Sequence, residues 1–154
     1  MSFSICVLAI GKAKKSPEAS IVDRYRQRIA WPIAIQEYPA DGAQSGGLRK
    51  RREAEKLTRT LDPDTCQIAL DENGTSCTSR AIANLIHENG ILDARPVAFI
   101  IGGPDGLDGD LLAKVQRRIA FGHASLPHML VRCIVMEQIY RAQTILCNHP
   151  YHRG

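Results

Sequence analysis

Several short stretches of this chain carry groups able to do chemistry. Gly102-Gly103-Pro104-Asp105-Gly106 is a turn through which backbone could closely approach a ligand. It lacks GxGxxG spacing and a Lys-Ser/Thr pair, and Asp105 would repel a pyrophosphate, so a polyphosphate is a poor match. A tight strand-to-helix turn is the plain alternative. In Leu70-Asp71-Glu72-Asn73-Gly74, Leu70 could lie against a flat ring and Asp71 could accept from an amine or a ribose. Taken alone, that stretch is a strand and a turn. His128 and Arg132 are four apart and share a helix face, as do Glu137 and Arg141. An intrahelical ion pair over a core stripe of Leu130, Ile134 and Ile145 accounts for the second pair; for the first, a structural and a functional role stand side by side. Arg49, Arg52, Lys56 and Arg59 recur at i, i+3, i+7 and i+10, with Glu53 and Glu55 elsewhere around the turn. Such a stripe suits a phosphate backbone without reading its sequence, or is a solvated face.

The elements that must position these groups follow from periodicity. Phe3–Ile10 is a nearly continuous apolar run, the pattern of a strand buried on both faces. Ser16, Pro17 and Glu18 open a helix reaching about Ala30, with Ile21, Tyr25 and Ile29 on one face. Ile33–Tyr38 reads as a second strand. The segment 39–47 is the loosest and is expected to be mobile. A helix over 48–61 turns Leu57 and Leu61 inward. A strand over 66–71 follows, then a loop at 72–74 and a helix capped by Thr78 or Ser79 that closes at Gly90, which supplies a left-handed terminus. Val97–Gly102 is a fourth strand, and 110–119 a short helix. A fifth strand at 120–124 leads to Ser125, expected to cap a long helix over 127–147. Strand and helix alternate throughout, and the strands are apolar. The fold class is therefore α/β, a parallel sheet flanked by helices, in one domain over 1–154. Ligands of such sheets bind beyond the carboxyl ends of the strands, which selects the loops after Asp71, Ile101 and Phe121.

Composition narrows the function classes. The chain has 154 residues, with 20 Lys and Arg against 16 Asp and Glu, for a net charge of +4; this is far from a histone-like binder. Aromatic residues are 5%, too few to tile a base-stacking platform. No apolar run approaches the roughly 18 residues that cross a bilayer, and the first strand has no positive region before it, so neither a membrane span nor a secretory signal is expected. Cys6, Cys66, Cys77, Cys133 and Cys147 are scattered singly, which points to reduced thiols and a cytoplasmic protein. Cys147, His149 and His152 lack a second ligand pair at finger-like spacing, so no metal is expected.

LDENG (70–74), FIIGGPDG (99–106), SLPHMLVR (125–132), EQIYRA (137–142) and NHPYHR (148–153) stand in this order. With them the whole chain, from MSFSICVLAIGK onward, resembles the RlmH family. That resemblance implies a SPOUT-class methyltransferase whose C-terminal part is threaded into a trefoil knot. It implies S-adenosylmethionine (SAM) as methyl donor and, as target, N3 of a pseudouridine in helix 69 of 23S rRNA within the 70S ribosome. It implies a homodimer in which the tail of one subunit approaches the cofactor of the other. Matched by position, the cofactor contacts are Leu70, Gly102, Phe121, Gly122, His123, Ala124, Ser125 and Leu126. Thr75 stands where many relatives carry Lys, and His123 is bulkier than the small residues usual there.

The implied chemistry gives the loops and the tail work. A sulfonium cation without phosphate suits a glycine turn flanked by carboxylates. N3 of the ring must lose its proton, which a base near neutrality or a cation beside the developing oxyanion assists. His152 is a candidate base, with His128 its rival. Arg153 could donate to ring oxygens or a flanking phosphate, and Tyr151 could stack on or position the base. Arg49, Arg52, Lys56 and Arg59 are the candidate RNA contacts. Two other readings remain: the same cofactor with another RNA, and a ribosome-binding module without turnover.

Overall fold

Ser4–Ile10 (β1) is buried along most of its length, as a run of Ile, Val, Leu and Ala inside a sheet must be. The structure, a computed structural model, describes residues 2–154. Pro17–Arg28 (α1) follows, with Ser16 Oγ accepting from Ala19 N at 3.1 Å as its N-cap. Ile33–Tyr38 (β2) lies parallel to β1. Gly46–Thr58 (α2), Cys66–Ser76 (β3), Ser79–Ile86 (α3), Pro96–Ile101 (β4), Gly109–Lys114 (α4), Arg117–Ala120 (β5) and His128–Leu146 (α5) complete the order. The sheet order is β2-β1-β4-β3-β5 with every pairing parallel. One core, with Phe99, Ile68, Ile86, Met136 and Ile139, lies under α1, α3 and α5. A smaller one, with Leu8, Ile10, Leu57 and Leu111, lies on the opposite face, where α2 and α4 contribute.

The alternation of elements stands as expected, but four local features differ. β3 runs five residues beyond Asp71, because Leu70 and Thr75 both register against Ile119; residues 71–74 bulge out between them. The expected loop is thus an excursion within a strand. β5 precedes its expected place, at 117–120, so 121–127 is the loop. Ser125 does not cap α5, whose N-cap is Pro127 with no side-chain bond; its hydroxyl lies 3.2 Å from Glu72 Oε2. Gly90 has no positive φ. It sits buried in a π-helical turn, His87–Ile91, that extends α3. A Cβ there would lie 2.8 Å from both Phe3 Cε2 and Val97 Cγ2, so close packing is the reason for glycine.

Burial also corrects the stripes read from sequence. Leu130 is 42% exposed, and the buried face of α5 is instead Arg132, Cys133, Val135, Met136, Ile139, Tyr140, Ala142 and Thr144. Glu53, placed by sequence merely off the basic stripe, is buried and accepts from Asp41 N at 3.0 Å. The segment expected to be loose is tied down in this way and by Arg49, whose Nη1 donates to Ala43 O and Gln44 O at 2.7 and 3.1 Å.

Candidate functional site

At the carboxyl edge of the sheet the excursion of β3, the turn after β4 and the loop after β5 meet around a cleft of about 480 Å³. Leu70, Ile101, Ile119, Phe121 and Val131 give it an apolar floor, and the turn Gly102–Gly106 with Gly122, Ala124 and Leu126 of the loop after β5 forms its wall. That volume lies within the range of small-molecule sites, roughly 300–1,000 Å³. Gly102 can only be glycine, since a Cβ would come 2.7 Å from Gly106 O. Gly122 takes φ +103°, the left-handed region, in open space.

Two of the three acidic groups near the cleft are already paired. Asp71 holds Arg118, whose Nη2 donates to Oδ2 at 2.6 Å. Asp105 accepts from Arg49 Nε at 2.9 Å and Nη2 at 3.3 Å, and this bond keeps the carboxyl below its usual range. Glu72 faces Ser125, joining two loops of the cleft across the sheet edge. An apolar floor, backbone-rich turns and one carboxylate without a cationic partner suit a flat ring joined to a positive centre. Lys50 is the basic residue of the lining, and no phosphate cradle accompanies it.

Of the residues expected to contact cofactor, Leu70, Gly102, Phe121, Gly122, Ala124 and Leu126 line this cleft; His123 and Ser125 do not. His128 lines it as well. Burial, then the Arg132 guanidinium, hold its imidazole below the ordinary range, which disfavours its charged form. Arg132 itself is buried on Glu37 and on the carbonyls of Ile10 and Gly11, so it serves structure and does not share His128's site.

The tail lies elsewhere. Tyr151 donates its hydroxyl to Glu137 Oε1 at 2.9 Å, and Tyr25 OH lies 3.4 Å away. With its own proton on Glu137, Tyr151 receives from Tyr25. Its ring packs edge-on against Tyr140 at 4.8 Å, with Arg141 4.7 Å and Arg28 5.4 Å from its centre. Burial first, then the bonds to Tyr25 and Glu137, push its pKa up. Tyr151 is thus engaged with Glu137, Tyr25 and Tyr140 of its own chain. His152 Nδ1 lies 3.3 Å from Arg141 Nη1, and Arg153 is exposed. The tail's anchors on α5, Glu137 and Arg141, lie six and ten helical residues beyond Val131 of the cleft, about 9 and 15 Å along the axis. Sequence reasoning paired Glu137 with Arg141, as the 2.6 Å contact shows. It missed Tyr25 and Arg28, because nothing local to α1 marks a partner 126 residues away.

The basic stripe is partly spent on the fold. Arg49 is committed to Asp105 and the loop carbonyls, while Arg52 and Lys56 lie 3.6 and 3.7 Å from Asp41. Arg59, the C-cap of α2, is exposed. Among the described residues no three His, Cys, Asp or Glu side chains gather as a metal site would need, and no helix is long and apolar enough to cross a membrane.

The family model described as predicted SPOUT methyltransferase matches residues 3–152. The protein called ribosomal RNA large subunit methyltransferase H in Rhodospirillum centenum is 40% identical over 146 residues, 95% of this chain and 96% of that one. Its namesake in Rhodospirillum rubrum is 41% identical over 151 residues, covering 97% and 99%. The one in Bradyrhizobium sp. is 35% identical over 162 residues, the full length of both. A solved structure of a probable methylase family protein from Haemophilus influenzae superposes with a TM-score of 0.58 at 14% identity, covering 100% of this chain and 72% of that one, a likeness of fold.

Proposed function

The chain belongs to the SPOUT methyltransferase family, and from that premise we propose that it methylates N3 of a pseudouridine in helix 69 of 23S rRNA. The substrate is the assembled 70S ribosome, and SAM is the methyl donor. The observation that carries this reading is the meeting of three strand-end loops at one apolar-floored cleft without a phosphate cradle. The relatives' names, ribosomal RNA large subunit methyltransferase H, support the substrate class. The reading includes one domain over 1–154, a C-terminal trefoil knot as the family implies, and a cytoplasmic location.

When bound, SAM supplies a methyl group on a sulfonium cation. The residues present fit it: Leu70, Ile119 and Phe121 offer apolar surface to a purine, and the turns at 102–106 and 121–126 offer amides and carbonyls to its edge. Glu72, latched to Ser125, is a carboxylate for its cationic part. His128, whose charged form is disfavoured, stands at the cleft wall and helps exclude water.

The tail carries the groups that meet the nucleic acid base. Because its anchors Glu137 and Arg141 stand about 9 and 15 Å along α5 from Val131 of its own cleft, the reading is a homodimer in which each tail serves the partner's cleft. Leu126 and Leu130, both exposed beside the cleft, offer apolar surface to such an interface. His152 contacts the target ring as donor or acceptor, Arg153 reaches the flanking phosphate, and Tyr151 holds both in place. Arg52, Lys56 and Arg59, with Lys50 at the rim, face the RNA backbone.

The test is transfer of labelled methyl from SAM to pseudouridylated 70S ribosomes that lack this methyl group, with the helix 69 fragment mapped by mass spectrometry. A single new methyl there is the expected result. No incorporation, with SAM still bound, overturns the assignment in favour of another RNA or a ribosome binder without turnover.

A further inference from the structure

Arg141 is held by two bonds to one oxygen: its Nε and Nη2 donate to Glu137 Oε1 at 2.9 and 2.6 Å. This leaves Nη1, 3.3 Å from His152 Nδ1. A guanidinium has five donors, no acceptor and no neutral form within reach in a protein. His152 Nδ1 therefore meets it as a lone pair, and the ring proton sits on Nε2. A protonated ring would set N–H against N–H and cation against cation.

The groups around His152 support this assignment. From α5 come Arg141 and Glu137; from α1, Tyr25 and Arg28 converge on Tyr151; from α3, Arg80 donates to Gly154 O at 2.9 Å. Glu137 is occupied by Arg141, Tyr151 and Gln138, so it does not reach the imidazole to favour its charged form.

We propose that Arg141 is a positioning residue that holds His152 in its Nε2–H form, so that His152 meets the substrate as a hydrogen-bond donor and not as the acceptor of the N3 proton. The inference rests on the reading above, in which this tail approaches a uracil-type ring. As an imide nitrogen ionises, its charge spreads to the two flanking carbonyl oxygens. An N–H fixed on one of them stabilises that anion, and the N3 proton leaves to solvent water.

Two measurements test it. Long-range proton–nitrogen spectra of histidine-labelled full-length protein, assigned with His152→Gln, read the ring directly. A lone pair at Nδ1 and a proton at Nε2 are expected, shifting toward a tautomer mixture in Arg141→Ala. A wild-type ring that is mixed or protonated at Nδ1 overturns the proposal. Where Arg141→Ala does not fold, His152→Gln and His152→Ala decide by turnover on ribosomes. The glutamine keeps a donor but cannot accept a proton as imidazole does. His152→Ala is expected to lose about 100-fold in kcat, as for a lost oxyanion donor, with His152→Gln within about 10-fold of wild type. A glutamine variant as impaired as the alanine overturns the donor role. Absence of transfer by the wild-type protein is failure of the function proposed above; the spectrum needs no substrate and still judges Arg141.

Discussion

Arg132 Nη1 lies 2.6 Å from Glu37 Oε2, and this pair fastens the last helix to the carboxyl ends of two neighbouring strands. The same guanidinium donates from Nη2 to Ile10 O at 3.1 Å and Gly11 O at 2.9 Å, while Glu37 Oε2 also accepts from Ala13 N at 2.6 Å. Arg132 is 1% exposed, whereas the Glu37 side chain keeps 33% of its surface in water. Arg132→Met keeps the stem and removes the charge, so two carbonyls lose the guanidinium and Glu37 loses its cationic partner, keeping only Ala13 N. The expected loss is about 3 kcal/mol, toward the low end for a broken buried pair because Glu37 can rehydrate. The midpoint of urea unfolding reads it.

His128 gives stability a pH dependence of definite sign. Burial and Arg132 lower its folded pKa below the unfolded value near 6.5, so the unfolded chain binds the proton more readily. Its neutral form is compatible with the fold at pH 7.5. As pH falls through 6.5, the unfolded state gains a proton that the folded state resists, and stability drops until the folded ring also titrates. Unfolding midpoints between pH 7.5 and 5 are expected to fall more in wild type than in His128→Gln, which has no such proton. Equal slopes in the two proteins would remove His128 from the account.

The four basic residues of the stripe along α2 and its C-cap separate by experiment. Arg52→Ala, Lys56→Ala and Arg59→Ala are expected to weaken ribosome binding without changing SAM affinity. Each lowers the slope of log affinity against log salt by about 1 where a phosphate contact is lost. Arg49→Ala frees Asp105 and two loop carbonyls, so its expected signature is a raised KM for SAM. Calorimetric SAM titrations and salt series on all four variants check the division.

Gly90→Ala places a methyl group 2.8 Å from the Phe3 ring and from Val97. Overpacking of this kind costs about 1–3 kcal/mol. The variant is expected to unfold at lower urea with SAM binding unchanged, since the position is remote from the cleft lining.

What was legible in the sequence was periodic or local. The apolar runs marked the first four strands, while the fifth was expected at 120–124 and stands at 117–120; the Ser16-Pro17 cap and the Thr78 cap stand where short-range hydrogen bonding requires. The strand-end loops were found because a parallel sheet gathers them on one edge. The excursion at 71–74 was not legible, since it depends on Thr75 re-entering register beside Ile119, a pairing across 44 positions. Nor was the buried face of α5: its apolar residues surround the helix, and only packing against α1 and α3 selects Met136 and Ile139 over Leu130. The tail motif was visible as a set of chemical groups. Its anchorage on Tyr25, Arg28 and Tyr140 was not, because these partners lie on other elements.

The last helix is also a ruler. Its Arg132 is pinned beside β1 and β2, and nine residues on, its Arg141 is pinned beneath the tail. One residue inserted between them would turn one end against the other by about 100° and advance it by about 1.5 Å. Neither anchorage tolerates that rotation while the other holds. The stretch between them is therefore free to vary in its exposed side chains yet fixed in length, so that lineages of this chain can accept insertions in the loops at 39–45 or 62–65 far more readily than a single residue here.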